Sequence, residues 1–238
     1  MSAKDALQVA SVRTTATKMG LNVIMMGAPG AGKGTQAGRF ARERGLPKIS
    51  TGDMLREAIR AGHPVALEAK ARMDRGELVD DDTIIAIVRD RLQQPDAQKG
   101  FVLDGFPRTV AQARALDEIM TQRNNGPLIV VDVMVPPEEL VRRLAMRRIC
   151  VKCGNNADPF GAADTCPKCG GSLEQRTDDN QDVVLERLNV YKRATTPVLE
   201  YYRERPTFRV VNGAQSPDRV AHELDAMIDD AAAAKVEM

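Results

Sequence analysis

The chain has few aromatic residues, no long apolar run and almost no excess of charge of either sign. Aromatic residues make up only 3% of its 238 residues and tryptophan is absent, which argues against the base-stacking surfaces of single-strand nucleic-acid binders. Its 34 basic and 33 acidic residues nearly cancel, so any basic cluster must be local. No apolar run approaches the roughly 18 residues that cross a bilayer. We therefore expect neither nucleic acid nor a membrane among its partners.

Histidine and cysteine are also scarce. The two histidines, His63 and His222, lie in no motif, and the four cysteines fall in one segment. Residues 1–20 mix charged and small residues and lack the apolar core of a secretory signal. We expect a disordered extension there; a transit peptide and a true start at Met19 remain open. The working expectation is a monomer in the cytoplasm.

A glycine-rich segment follows the first apolar run. Leu21–Met26 predicts a strand, residues 27–35 read GAPGAGKGT, and the start of a helix follows. Such a strand, turn and helix can bind phosphate, because glycines let several backbone N–H groups point at one anion and the helix N-terminus adds partial positive charge. Gly34 is inserted in the usual phosphate-loop pattern, between Lys33 and Thr35. We predict that Lys33 contacts the outer phosphates and Thr35 binds Mg²⁺; the alternative is a tight turn with an incidental lysine.

The rest of the chain alternates predicted helices and strands. Five strands separated by helices predict an α/β fold with a five-stranded parallel sheet, helices on both faces and the site at the carboxyl ends of the strands. The predicted helices are Ser50–Ala61, Pro64–Arg75, one that begins near Asp81, Val110–Gln122, one that begins at Pro136, Asp179–Arg205 and Pro217–Ala234. Ser50 is expected to cap the first of them, and Asp81 or Asp82 the third. The helix from Pro136 is expected to carry Arg142, Arg143, Arg147 and Arg148, and Asp179–Arg205 to have a kink at Pro197. The first two of these helices interrupt the alternation and predict a small helical insert.

Asp104 stands where the predicted strand Phe101–Leu103 ends. A carboxylate at this place holds magnesium in phosphate-loop proteins, directly or through water. The other interpretation is a turn aspartate before Gly105. The glycine-rich segment favours the first.

The cysteines form two CxxC pairs, Cys150 with Cys153 and Cys166 with Cys169, separated by 12 residues. Two such pairs are typical of a structural Zn²⁺ site, in which four thiolates surround the metal. Two disulfides are the alternative, although nothing marks the chain as secreted. A catalytic zinc is disfavoured because four protein ligands leave no open position for water.

The segments 27–35, 50–56 and 104–109 together resemble the adenylate kinases, a family of nucleoside monophosphate kinases, and Gly34 matches the family's GxPGxGKGT form. The resemblance extends from about Leu21 to the last helix. It implies a P-loop NTPase type of sheet and reversible, Mg²⁺-dependent phosphoryl transfer from ATP to AMP, giving two ADP. It also implies a lid of the zinc-bearing type, although the short spacer means that Phe160 and its loop cannot be carried over.

The resemblance implies a role for each site residue. The ATP-binding residues would be Gly30, Ala31, Gly32, Lys33, Gly34, Thr35, Arg143 and Arg147. The AMP-binding residues would be Thr51, Arg56, Glu77, Val79, Gly105, Arg108, Gln112, Arg176 and Arg187, with Arg56 and Arg108 on the phosphate and Gln112 on the base. The catalytic residues would be Lys33, Arg108, Arg143, Arg147, Arg176 and Arg187. Thr35 and Asp104 would hold Mg²⁺ through water, and Cys150, Cys153, Cys166 and Cys169 would hold Zn²⁺.

The resemblance also implies how the chain is divided. The core would comprise residues 21–49, 80–146 and 180–238, the AMP-binding insert residues 50–79, and the lid residues 147–179. Arg143 and Arg147, four residues apart, are expected on one face of a helix.

The scarcity of histidine agrees with this chemistry. The acceptor phosphate has a second pKa of about 6, so it is already an anionic nucleophile and needs no general base. Preorganised positive charge should then do the work. The identity of the substrates remains open: the acceptor could be another nucleoside monophosphate, and the donor could be GTP. From a different class, a zinc-ribbon nucleic-acid-binding nucleotide switch is an alternative, opposed by the neutral charge and scarce aromatics.

Overall fold

The computed structural model describes residues 20–157 and 164–234. Over these residues the strands are β1 (Leu21–Met26), β2 (Lys48–Ser50), β3 (Gly100–Asp104), β4 (Leu128–Met134), β5 (Arg148–Cys150), β6 (Leu173–Gln175) and β7 (Phe208–Asn212). The helices are α1 (Lys33–Arg44), α2 (Thr51–Arg60), α3 (Pro64–Asp74), α4 (Asp81–Leu92), α5 (Val110–Arg123), α6 (Pro137–Ala145), α7 (Gln181–Val190), α8 (Thr196–Arg203) and α9 (Pro217–Ala233). Short 3₁₀ turns lie at Pro95–Lys99 and Thr177–Asp179.

The main sheet has the order β2-β3-β1-β4-β7, and all of its neighbouring pairs are parallel. Its three central strands, β1, β3 and β4, are buried along almost their whole length and are mostly apolar, as expected where helices cover both faces. In β1, Ile24 packs in the layer that contains α4, α5 and α8, whereas Val23 and Met25 pack in the layer that contains α1 and α9. The predicted five-stranded parallel sheet with helices on both faces is confirmed.

Two predicted helix boundaries are wrong. The cap of α4 is Asp80, whose carboxylate accepts the Thr83 N–H at 2.8 Å, whereas Asp81 instead accepts hydrogen bonds from Thr109 and Gln112. Helix α6 ends at Ala145, because the chain then turns into β5.

The early end of α6 changes the predicted relation between two arginines. Arg147 lies beyond α6 and Arg148 begins β5. Arg143 and Arg147 therefore do not share one helical face, and the prediction that they do is wrong.

The long helix predicted near the C-terminus is divided. Its middle, Tyr191–Thr195, is a π-helical turn between α7 and α8. Pro197 explains the change, because it has no N–H to donate to the carbonyl four residues earlier. The predicted kink thus takes the form of one widened turn.

The second sheet is small: β5 and β6 pair antiparallel, with Arg148 opposite Gln175. It follows α6 in the chain; Cys150 ends β5, and the other three cysteines lie between β5 and β6. The predicted N-terminal extension and Phe160 lie outside the described residues. None of the helices within residues 20–157 and 164–234 combines the length and apolarity that a membrane-spanning segment needs.

Candidate functional site

The glycine-rich turn joins β1 to α1 at the carboxyl edge of the main sheet. Lys33 begins α1, and its Nζ donates to the carbonyl oxygens of Gly27 at 2.7 Å and Ala28 at 2.8 Å. Burial lowers the pKa of Lys33 to about 8, although nearby Asp104 opposes the shift. The ammonium is thus held against the turn and remains mostly protonated at neutral pH.

At two glycines of this turn, atoms from other parts of the chain lie close to the backbone and leave little room for a side chain. Gly30 has φ +86°, and a Cβ there would lie 2.9 Å from Leu144 Cγ. A Cβ at Gly34 would lie 3.1 Å from Asp104 Oδ2. The inserted glycine therefore lets the carboxylate that ends β3 approach the first turn of α1, where Thr35 also lies.

Two open clefts meet beside this turn, with volumes of ≈ 590 Å³ and ≈ 580 Å³. The first is lined by α2, the 76–79 segment and α5, and the second by the end of β1, Lys33 and the π-helical turn. Both clefts are lined by Gly76, Leu78, Gly105, Arg108 and Arg187. Two bound molecules could therefore present their ends to the same two arginines.

All nine residues predicted to bind AMP line the first cleft. They are Thr51, Arg56, Glu77, Val79, Gly105, Arg108, Gln112, Arg176 and Arg187. Thr51 Oγ1 donates to the Gly105 carbonyl at 3.0 Å, which joins the start of α2 to the end of β3. The structure thus brings together side chains that are far apart in sequence, whereas Arg143 and Arg147 line neither cleft.

Arg108 lies where the clefts meet. Its Nε donates to the Gly105 carbonyl at 2.8 Å, and its backbone N–H donates to Gln112 Oε1 at 2.8 Å. Solvent reaches Arg108 through the clefts, but protein atoms surround its other sides. This burial lowers the pKa of Arg108. The negative charge of Asp104 opposes the shift, whereas the positive charge of Arg56 adds to it. An anion between Arg56 and Arg108 would relieve their mutual repulsion.

The Gln112 side chain is engaged at both ends of its amide. Its Oε1 accepts the Arg108 N–H, and its Nε2 donates to Asp81 Oδ1 at 2.7 Å. It is buried at the edge of the first cleft. That it reads a base stays a prediction.

Two acidic residues that sequence reasoning missed hold three of the predicted arginines. Arg176 forms two hydrogen bonds with Asp178, at 2.8 and 2.6 Å. Asp179 is fully buried and accepts from Arg147 Nε at 2.7 Å and Arg187 Nη1 at 2.8 Å. The sequence offers only an acidic pair before a helix, which is usually a favourable charge at the helix N-terminus.

The charges of this cluster affect one another. Burial alone would raise the pKa of Asp178, but Arg187 and Arg176 outweigh it and lower that pKa to about 2. Burial lowers the pKa of Arg187 to about 10, opposed by Asp178. Both groups remain ionised at neutral pH, so Asp178 balances part of the positive charge.

Arg143 is held away from this cluster. Its Nε donates to Glu139 Oε1 at 2.7 Å and its Nη1 to the Gly213 carbonyl at 3.0 Å, so it links α6 to the segment after β7. Hydrogen bonds from Arg142 and Arg143 lower the pKa of Glu139 to about 2. Arg143 Nη1 also lies beside the glycine-rich turn, 4.0 Å from where a Cβ of Gly32 would lie.

The four cysteine sulfurs lie within 4.8 Å of one another. Cys150 Sγ is 3.4 Å from Cys169 Sγ, and Cys153 Sγ is 3.6 Å from Cys166 Sγ. A tetrahedral Zn²⁺ with bonds of about 2.3 Å needs sulfurs about 3.8 Å apart. The cluster therefore fits such an ion with little movement, and the sulfurs are too far apart for the roughly 2.05 Å bond of a disulfide.

Comparisons with known proteins agree with this geometry. A family model described as adenylate kinase matches residues 25–207. An adenylate kinase of Archaeoglobus fulgidus is 48% identical over 213 residues, covering 88% of this chain and 98% of the relative. An adenylate kinase of Geobacillus sp. strain WCH70 is 46% identical over 212 residues, covering 87% and 98%. One of Thermodesulfovibrio yellowstonii is 44% identical over 213 residues, covering 88% and 99%.

Proposed function

The chain belongs to the adenylate kinase family, and we propose that it transfers the terminal phosphoryl group of MgATP to AMP, giving two ADP. The observation that carries this proposal is the meeting of two clefts at Arg108 and Arg187. A direct transfer between two nucleotides needs their phosphate ends in one place, and two separate clefts that share their arginines provide it.

In this proposal the second cleft receives the phosphates of ATP. Lys33 supplies a full positive charge, and the N-terminus of α1 supplies a partial one. Residues Gly30, Ala31, Gly32, Gly34 and Thr35 contribute the loop around the phosphates. Magnesium, when bound with ATP, neutralises phosphate charge; Thr35 and Asp104 would hold it through water.

The first cleft receives AMP. Arg56 and Arg108 would bind its phosphate as paired donors, and the backbone near Glu77 and Val79 would lie beside adenine. Residues 50–79 would form the AMP-binding insert. Arg176, Arg187 and Arg147 would add positive charge once phosphate oxygens replace the carboxylates of Asp178 and Asp179 as their partners.

Residues 147–179 would act as a lid over the reacting phosphates. Arg147 and Arg176 belong to this segment and Arg187 to α7, and Asp178 and Asp179 already hold the three arginines together. Closure would bring these arginines onto the phosphates. Excluding water strengthens each charge interaction and prevents hydrolysis of ATP. Zn²⁺ held by the four cysteines would stabilise the segment and take no part in the transfer.

The test is a coupled assay of the purified chain with Mg²⁺, ATP and AMP. We expect ADP formation that requires both nucleotides. GTP as donor and GMP, CMP and UMP as acceptors, each tested in place of the adenine nucleotide, define the preference. If no diphosphate forms in any combination, the proposal is wrong; if another pair reacts faster, the family assignment stands and the substrates change. The monomeric state and cytoplasmic location stay predictions.

A further inference from the structure

The π-helical turn between α7 and α8 places one buried hydroxyl against the phosphate site. The Thr196 N–H donates to the Tyr191 carbonyl, five residues back, and Pro197 follows without an N–H. Such widened turns inside helices occur frequently at functional sites. Here the turn lines the second cleft with Tyr191 and Thr195.

Thr195 holds the main chain of Arg108. Its side chain is buried, and its Oγ1 donates to the Arg108 carbonyl at 3.0 Å. The Arg108 N–H is held by Gln112 Oε1, and the guanidinium by the Gly105 carbonyl. Three separate hydrogen bonds thus fix one arginine, two of them to residues three and four positions away and one to a residue 87 positions away.

We propose that Thr195 is a positioning residue for phosphoryl transfer: its hydroxyl fixes the Arg108 backbone so that the guanidinium stays where the two clefts meet. The inference rests on the proposed function, since it assigns Arg108 a place beside the transferring group. A shift of about 1 Å in a charged group at a reacting centre can lower turnover by up to a hundredfold.

A second threonine offers a matched control. Thr207 is also buried, and its Oγ1 donates to the Leu128 carbonyl at 2.7 Å. Leu128 begins β4, so this bond lies at the amino edge of the sheet, opposite the clefts. Both bonds join a buried threonine hydroxyl to a main-chain carbonyl; the Thr195 bond is partly buried and the Thr207 bond is buried, and only the first touches Arg108.

The experiment compares Thr195→Val, Thr195→Ser and Thr207→Val in the full-length chain. Valine keeps the shape and removes the hydroxyl, whereas serine keeps the hydroxyl. We expect both valine variants to lower Tm by about 2–4 °C, as the loss of one buried hydrogen bond predicts for a chain of this size. We expect Thr195→Val alone to lower kcat by about tenfold, with KM for ATP changed less than twofold, and Thr195→Ser to retain most of the activity.

A lower Tm with unchanged kcat in Thr195→Val would mean a purely structural bond and would overturn the inference. A loss in Thr195→Ser equal to that in Thr195→Val would do the same, because the hydroxyl would then not matter. If Thr195→Val does not fold, Thr195→Ala, which removes the hydroxyl without pressing a methyl group on the carbonyl, must show the loss of kcat. Activity of Thr207→Val tests the proposed function separately.

Discussion

The phosphate site and the cysteine cluster are stabilised in different ways. The phosphate site lies on a parallel sheet with an apolar layer on each face, and its backbone is an extension of buried strands. Among the described residues, the cysteine cluster has Cys150, Cys166 and Leu173 as its buried apolar residues. Hydrophobic burial can order the first region, whereas the second needs a cross-link among its four sulfurs.

This difference suits two different tasks. A group that must meet a reacting phosphate within a fraction of an ångström benefits from a rigid sheet edge. The proposed lid, residues 147–179, would benefit from being small and internally bound, because a segment with few contacts to the rest of the chain moves at low cost. Three predictions test whether the two regions are independent in this way.

The largest effect is expected from Lys33→Ala. Removing the ammonium should lower kcat/KM for ATP by a hundredfold to a thousandfold, about 3–4 kcal/mol of transition-state stabilisation. Bound metal, measured by atomic absorption, should not change, because the cysteine cluster is separate from the phosphate loop.

Lys99→Ala is the matched control for this prediction. Lys99 is an exposed lysine just before β3, at the opposite edge of the sheet. Its loss should leave the activity near the wild-type value. Wild-type activity in Lys33→Ala would contradict the assignment of the phosphate loop.

The next effect is expected from Cys166→Ser. Losing one of four thiolates should lower the zinc content and make residues 147–179 more sensitive to protease, because a structural zinc contributes up to about 10 kcal/mol to the folding of a small module. The sheet should keep its far-UV circular dichroism. Activity should fall less than in Lys33→Ala.

Lys152→Ala serves as its control, since Lys152 is exposed between two cysteines and supplies no thiolate. It should retain the metal and the protease resistance. Global unfolding of Cys166→Ser together with the sheet would show that the two regions are not independent.

The smallest effect is a pH dependence. Burial lowers the pKa of Lys33 from 10.5 to about 8, so its positive charge is present below pH 8 and is lost as the pH rises through that value. In the free enzyme kcat/KM for ATP should therefore decrease above pH 8, by about tenfold at pH 9. The zinc content should stay constant over the same range, because thiolate ligands are favoured at higher pH. A flat profile to pH 10 would contradict the role given to the Lys33 charge.

Local chemistry made several features predictable. The β1 strand, the glycine-rich turn and α1 follow one another directly in the chain. Each of these elements could therefore be predicted from its own consecutive residues. Ser50 caps α2 as predicted, with its side chain accepting the Asp53 N–H. Similarly, the two CxxC pairs predicted a cluster that needs only two short turns to form.

Other features depended on partners distant in sequence. Asp81 looked like a helix cap but binds Thr109 and Gln112, 28 and 31 residues further on. The end of α6 before Arg147 and the burial of Asp179 between Arg147 and Arg187 could not be predicted from periodicity. Thr195 carried no signal in the sequence beyond its position near Pro197.

The sequence by itself determined the alternation of strands and helices in the core, the glycine-rich turn, the two CxxC pairs and the resemblance to a family, because each rests on neighbouring residues. Only the tertiary structure decided which charges share one site and what holds them. Asp179 holds Arg147 across 32 residues of chain, and the Thr195 hydroxyl holds Arg108 across 87. Their effect depends on distance in space, which residue type alone does not contain.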